Sequence, residues 1–158
     1  MTVQEFQAEK IEGAAKLLAF WLGAMPEDKQ SWVPEVVGAA GLRTAREQVA
    51  ECAAANRFFA QFLKGEKPTP FSPFDVKSEY ASSEEAQQDL IASAAECAAV
   101  IRGLSEADLE KEYRLRWSMT GYQVIEFPYR NMTYHAGQIN QLQLLYGDTE
   151  FHILLKPH

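Results

Sequence analysis

The chain of 158 residues reads as all-α: a four-helix bundle with long crossover connections and a short extended segment before the last helix. Three observations predict this. Four stretches, each long enough for several helical turns, carry apolar side chains at helical spacing. Capping residues open two of them, and proline or glycine closes others. The connections between them are too long for tight helical hairpins, which is the pattern of a bundle with crossovers. Residues 1–158 show no internal repeat and no compositional boundary, so a single domain is expected.

The first helix runs from about Val3 to Met25, where Ala14, Leu17, Leu18, Trp21 and Met25 recur on one face. Pro26 and the polar Glu27-Asp28-Lys29-Gln30 end it, because proline removes an amide donor and biases the residue before it away from helix. A connector follows from Ser31 to Gly41, broken by Pro34, Gly38 and Gly41. Thr44-x-x-Glu47 is a capping box and opens the second helix, in which each side chain satisfies the other residue's free amide. Its core stripe is Val49, Cys52, Asn56, Phe59 and Leu63, and Gly65 stands where a C-terminal glycine belongs. The three prolines of Lys67 to Phe74 demand a loop, and its two phenylalanines, Phe71 and Phe74, imply that it packs on the body.

A third helix starts near Ser82 or Ser83 and presents Leu90, Ile91, Ala94, Cys97, Ala98, Ile101 and Leu104. Ser105 caps one or two further turns. Tyr113-Arg114-Leu115-Arg116-Trp117 alternates apolar and basic residues, which predicts the extended segment. The fourth helix spans about Thr120 or Gly121 to Tyr146 and ends at Gly147-Asp148. Pro128 within its first turns predicts a kink, or a true start near Phe127. The tail Phe151, Ile153, Leu154 and Leu155 is expected to pack back on the body.

Composition narrows the function. With 15 Lys+Arg against 22 Asp+Glu the net charge is −7, and no basic cluster offers a surface to a phosphate backbone, so nucleic acid is excluded as a partner. The apolar runs are far shorter than the roughly 20 residues a membrane span needs. Nothing in the first residues resembles an export signal, and the two cysteines, Cys52 and Cys97, read as small buried apolar side chains. A cytoplasmic protein is expected. The Trp21, Trp32, Trp117, Tyr122, Phe127, Tyr129 and Tyr134 rings read as core or as the mouth of a pocket. Arg114 and Arg116 read as an exposed strand face or as a bidentate anion site.

The informative feature is a polar interruption on the fourth helix. Val124, Phe127, Asn131, His135, Gln138, Leu142 and Leu145 share one face, apolar at both ends and polar in the middle. An unsatisfied buried polar group costs about 1–3 kcal/mol, so such a cluster implies mutual hydrogen bonds, a wet pocket or a ligand. Asn131 and His135 are one turn apart, the spacing at which two helical side chains grip one ion. His135 thus has three readings: a hydrogen-bonded core histidine, a metal ligand, or an acid/base. Gly137 in mid-helix predicts close approach of another helix or a ligand.

The string Tyr134-His135-Ala136-Gly137-Gln138-Ile139-Asn140, running on to Leu145-Tyr146-Gly147-Asp148, resembles the last helix of the DinB-like superfamily of four-helix bundles. That helix often reads His-x-x-x-His-x-Gly-Gln. The stretch Val49 to Phe59 is similar to the family's second helix. The resemblance implies a divalent metal, nickel or zinc, held by one histidine of helix two and two of helix four. His135 matches the last of these; Asn131 stands at the other helix-four position, and Glu51 aligns with the helix-two histidine. A Glu51, Asn131 and His135 set is expected to bind metal more weakly than three imidazoles. His152 and His158 lie beyond the helix and do not restore the count.

What the resemblance implies is a metal-dependent hydrolase or thiol-dependent transferase with a pocket between helices two and four, where Asn131 or Gln138 orients water or a small-molecule substrate. The alternative is a non-catalytic bundle with a degenerate site that binds a small apolar ligand, or a structural protein. In either case a homodimer is expected, with helix faces used for the association.

Overall fold

Packing of four long helices, with two short helical turns and a hairpin inserted before the last, builds the structure. It is a computed structural model that describes residues 1–35, 41–70, 72–73, 75–150 and 152. The elements in order are α1 (Val3–Ala24), α2 (Glu27–Gln30), α3 (Ala45–Leu63), α4 (Ser83–Arg102), α5 (Glu106–Glu110), β1 (Glu112–Arg114), β2 (Ser118–Thr120), α6 (Gly121–Val124) and α7 (Phe127–Leu145). Helices α1 and α4, α4 and α3, α3 and α7, and α7 and α1 pack side by side, closing a four-membered ring around the core. The expectations at Gly38, at Phe71 and Phe74, in the tail Phe151, Ile153, Leu154 and Leu155, and at His158 lie outside the described residues.

Local chemistry sets the helix ends where the sequence places them. Thr44 Oγ1 accepts from the Glu47 amide while Glu47 Oε2 accepts from the Thr44 amide, both at 3.1 Å. Ser82 caps α4, and Ser105 and Asp108 form a second capping box on α5. Gly65 and Gly147 take φ values of +75° and +96°, the left-handed conformation that closes a helix and that glycine adopts without a Cβ clash. Pro128 falls in the first turn of α7, and the break at Ile125–Glu126 separates α6 from α7.

Four expectations need correction. On α1 the buried row is Ala8, Ile11, Ala15, Leu18 and Leu22, while Ala14, Leu17 and Trp21 are only half-buried at its margin. Apolar residues cover so wide an arc of this helix that spacing alone does not choose its centre. Ile91, expected in the core, is 40% exposed on α4. The first helix does end before Pro26, but the polar stretch after it, Glu27–Gln30, forms a helical turn of its own, α2, whose Gln30 is buried. Gln30 Nε2 donates to the Leu22 and Met25 carbonyls and Ser83 Oγ, and Oε1 accepts from Arg46, so one amide joins α1, α3 and α4. The extended segment is a hairpin: β1 and β2 pair antiparallel with Tyr113 opposite Met119, and Leu115–Trp117 form the turn instead of continuing a strand. The second strand, Ser118-Met119-Thr120, is too short to carry its own periodic signal.

Long-range polar contacts fix the register of the bundle. Arg102 at the end of α4 reaches Glu5 and Glu12 on α1, and Gln7 Nε2 donates to the Ile125 carbonyl at the α6–α7 break. Gly121 lies against α5 so closely that a Cβ there would sit 2.3 Å from the Asp108 carbonyl oxygen. Cys52 and Cys97 are both free and buried, in agreement with their reading as core side chains. Among the described residues, no helix is long and apolar enough to cross a membrane.

Candidate metal centre

Helices α3 and α7 run antiparallel. Gln48 and Glu51 meet His135 and Asn131, while farther along α3 Phe59 stacks on Phe127 with ring centroids 5.3 Å apart. The buried row of α7 is Pro128, Met132, His135, Ala136, Ile139, Leu142 and Gln143. The expected face is therefore rotated: Asn131 and Gln138 lie at its margin, and Leu145 is 53% exposed. His135 is common to both faces, and the rotation turns it fully inward.

Three predicted residues come together. His135 Nε2 lies 2.6 Å from Glu51 Oε2, and Asn131 Nδ2 donates to the same oxygen at 3.0 Å. Glu51 and His135 are 3% and 2% exposed, so this is a charged or strongly polar contact inside the protein, where unpaired partners are costly. Gln138, the fourth, does not join them. Its Oε1 is buried without a hydrogen-bond partner, and its side chain lines a neighbouring cleft of about 390 Å³ with Gln48, Tyr134, Arg43, Leu142 and Leu145. This cleft lies between α7 and the connector that leads into α3, with Gln48 its one lining residue from α3, so it is offset from the expected pocket between the second and fourth long helices. Gly137 is exposed, and a Cβ there would meet nothing within 4 Å, so no close approach accounts for it.

Two residues of the site were not anticipated. Gln48 Oε1 lies 3.2 Å from His135 Nδ1, so the ring is held at both nitrogens. Oriented this way, Nδ1–H donates to Gln48 and Nε2 is directed at Glu51. Cys52 contributes a sulfur. The side-chain donors of Glu51, Cys52 and His135 all lie within 4.8 Å of one another, and Asn131 Nδ2 points at Cys52 Sγ from 3.8 Å. Burial, and then the Glu51 charge, push the Cys52 thiol well above its ordinary pKa, against a smaller opposing pull from Arg43. The sequence signal for Cys52 was its place on the buried stripe of α3, which identifies a core residue but not a ligand.

The donors suit a metal. Carboxylate, thiolate and imidazole together are a set that Zn²⁺ and neighbouring first-row ions accept. A cation would also lower the thiol pKa that burial now raises. Glu51 Oε2 and His135 Nε2, now 2.6 Å apart, are two of the donors that would hold the ion. The buried Glu51, Cys52 and His135 group could hold a metal.

Comparison with known proteins agrees with this architecture. A sequence model of the DinB superfamily matches residues 10–139, and the chain belongs to that superfamily. A crystal structure of a conserved protein from Enterococcus faecalis is similar over 93% of this chain and 99% of its own, with a TM-score of 0.75 and 16% identity. A DinB-like protein from Bacillus subtilis is similar over 99% of this chain and all of its own, with a TM-score of 0.67 and 18% identity. At those identities the likeness concerns the fold. No functionally curated protein matches the chain.

Proposed function

We propose that the protein is a divalent-metal-dependent DinB-superfamily enzyme, a hydrolase or thiol-dependent transferase, whose ligands are Glu51, Cys52 and His135, with zinc favoured over nickel by the thiol. The observation that carries this reading is the convergence of three chemically distinct donors, all buried, within 4.8 Å. A bound divalent ion supplies Lewis acidity and lowers the pKa of a coordinated water or thiol. Asn131 restrains the Glu51 carboxylate, and Gln48 fixes the ring of His135. Gln48, in contact with His135, also lines the cleft with Gln138 and Tyr134, so the cleft and the buried donors share this one side chain as a boundary. Gln138 Oε1, buried and unpartnered, accepts a hydrogen bond from what enters.

The second reading, a non-catalytic bundle, draws on a specific feature: His135 and Glu51 already bond each other, so the polar interior is partly self-satisfied. Metal analysis of untagged protein separates the two. Incubation with zinc is expected to leave close to one ion per chain, to protect Cys52 from alkylation, and, with cobalt in place of zinc, to give a thiolate-to-cobalt charge-transfer band that Cys52→Ser removes. Less than about 0.2 ion per chain would overturn the metal reading.

A further inference from the structure

The hairpin turn carries a second feature, unconnected with the buried donors. Short β turns favour glycine, asparagine and aspartate, and three-residue hairpin loops commonly place one residue in the left-handed region. Here the turn is Leu115-Arg116-Trp117, with no glycine and no positive φ. Turn geometry does not call for these side chains. Trp117 is 59% exposed and Leu115 38% exposed, an unusual investment of large apolar surface in a loop.

Together with α3, the loop residues Ser72 and Pro73 and the start of α7, the turn borders an open-sided cavity of about 590 Å³, within the range of about 300–1,000 Å³ typical of small-molecule sites. Phe59, Phe127, Trp117 and Met119 supply an apolar, mainly aromatic wall. That wall is pre-ordered on one side, since Phe59 and Phe127 stack with their planes 7° apart. Arg116 is the sole charged residue among those lining it, and no hydrogen bond or ion pair engages its guanidinium among the described residues. In a chain of net charge −7, an unengaged arginine beside an aromatic cavity is complementary to an anion with a flat apolar body.

We propose that this cavity is a binding site for a planar aromatic carboxylate, with the ring system against Trp117 and Phe127 and the carboxylate paired with Arg116. The cavity shares no lining residue with Glu51, Cys52 or His135, so the site stands whether or not those residues hold a metal.

Calorimetric titration of the full chain with 2-naphthoate and its uncharged counterpart 2-naphthamide, with and without zinc, tests it. Saturable 2-naphthoate binding is expected under both conditions, with Arg116→Gln weakening it about tenfold, the loss of one charge-assisted hydrogen bond. The same variant is expected to leave 2-naphthamide binding unchanged, and Trp117→Ala to weaken both. Arg114→Gln removes the same charge two residues away, outside the cavity, and is expected to have little effect. No saturable binding overturns the proposal. So does equal affinity for the two compounds, or an equal loss from Arg114→Gln and Arg116→Gln, which would mark general charge attraction. Circular dichroism of each variant confirms that the exposed turn tolerates the change.

Discussion

Replacing His135 by leucine, in protein held metal-free by a chelator, tests whether Glu51 and His135 form one energetic unit. The substitution keeps much of the apolar volume but removes the partner at 2.6 Å from Glu51 and the partner at 3.2 Å from Gln48. Glu51 is 3% exposed, so its carboxylate is left with the Asn131 amide and little water. Removing one member of a buried pair costs about 3–5 kcal/mol. For a domain of this size that lowers Tm by about 6–20 °C, at about 2–4 °C per kcal/mol. Glu51→Leu is expected to cost a similar amount. The double variant should cost much less than the sum, short of it by about 2–3 kcal/mol, because no unpaired charge remains. Of the remaining partners, Asn131 stands half-buried at the helix margin, and Gln48 keeps the bond its Nε2 donates to the Arg43 carbonyl. Urea denaturation of the four proteins provides the cycle. Additivity within about 0.5 kcal/mol would refute the coupling, as would a single-variant cost below about 1 kcal/mol.

Two further outcomes concern the scaffold. Gly121→Ala would place a methyl 2.3 Å from the Asp108 carbonyl oxygen and 2.7 Å from Leu109 Cα, both backbone, so α5 and α6 must separate. A loss of about 1–3 kcal/mol or more is expected by denaturant titration, whereas Gly137→Ala, with open space at its Cβ, should be neutral or stabilising. Asp89 is held below its ordinary pKa of 3.8 by the Arg57 guanidinium, bonded at 2.5 and 3.1 Å, and by the Tyr80 hydroxyl at 2.6 Å. A carboxylate depressed in the folded state contributes stability that is present above the unfolded pKa and is lost as pH falls through the folded one. The stability difference between the parent and Asp89→Asn should therefore be largest above pH 5 and shrink on acidification below 3.8, measured by thermal melts across pH.

The legibility of the site followed the range of the interactions that make it. Asn131 and His135 were visible because both stand on one helix and interrupt its apolar pattern. Glu51 emerged by alignment with a related helix. Gln48 and Cys52 were not found, since each has a second, sufficient explanation within α3: a residue in the first turns and a small core side chain. Only contact with α7 distinguishes them. The rotated face of α7 and the misplaced stripe of α1 have the same origin. Where apolar residues cover a wide arc, the neighbouring helices choose which line faces inward.

What the sequence determined by itself is what short-range chemistry controls. The Thr44–Glu47 and Ser105–Asp108 caps, the left-handed glycines at 65 and 147, and the proline that starts α7 each depend on residues within a turn of one another. The tertiary structure alone decided that Glu51, Cys52 and His135 meet, that Gln30 ties three helices, and that Arg116 and Trp117 border a cavity. These depend on how helices and hairpin lie across one another, where the partners are far apart in the chain and the energy of each contact exists only once the whole core has closed.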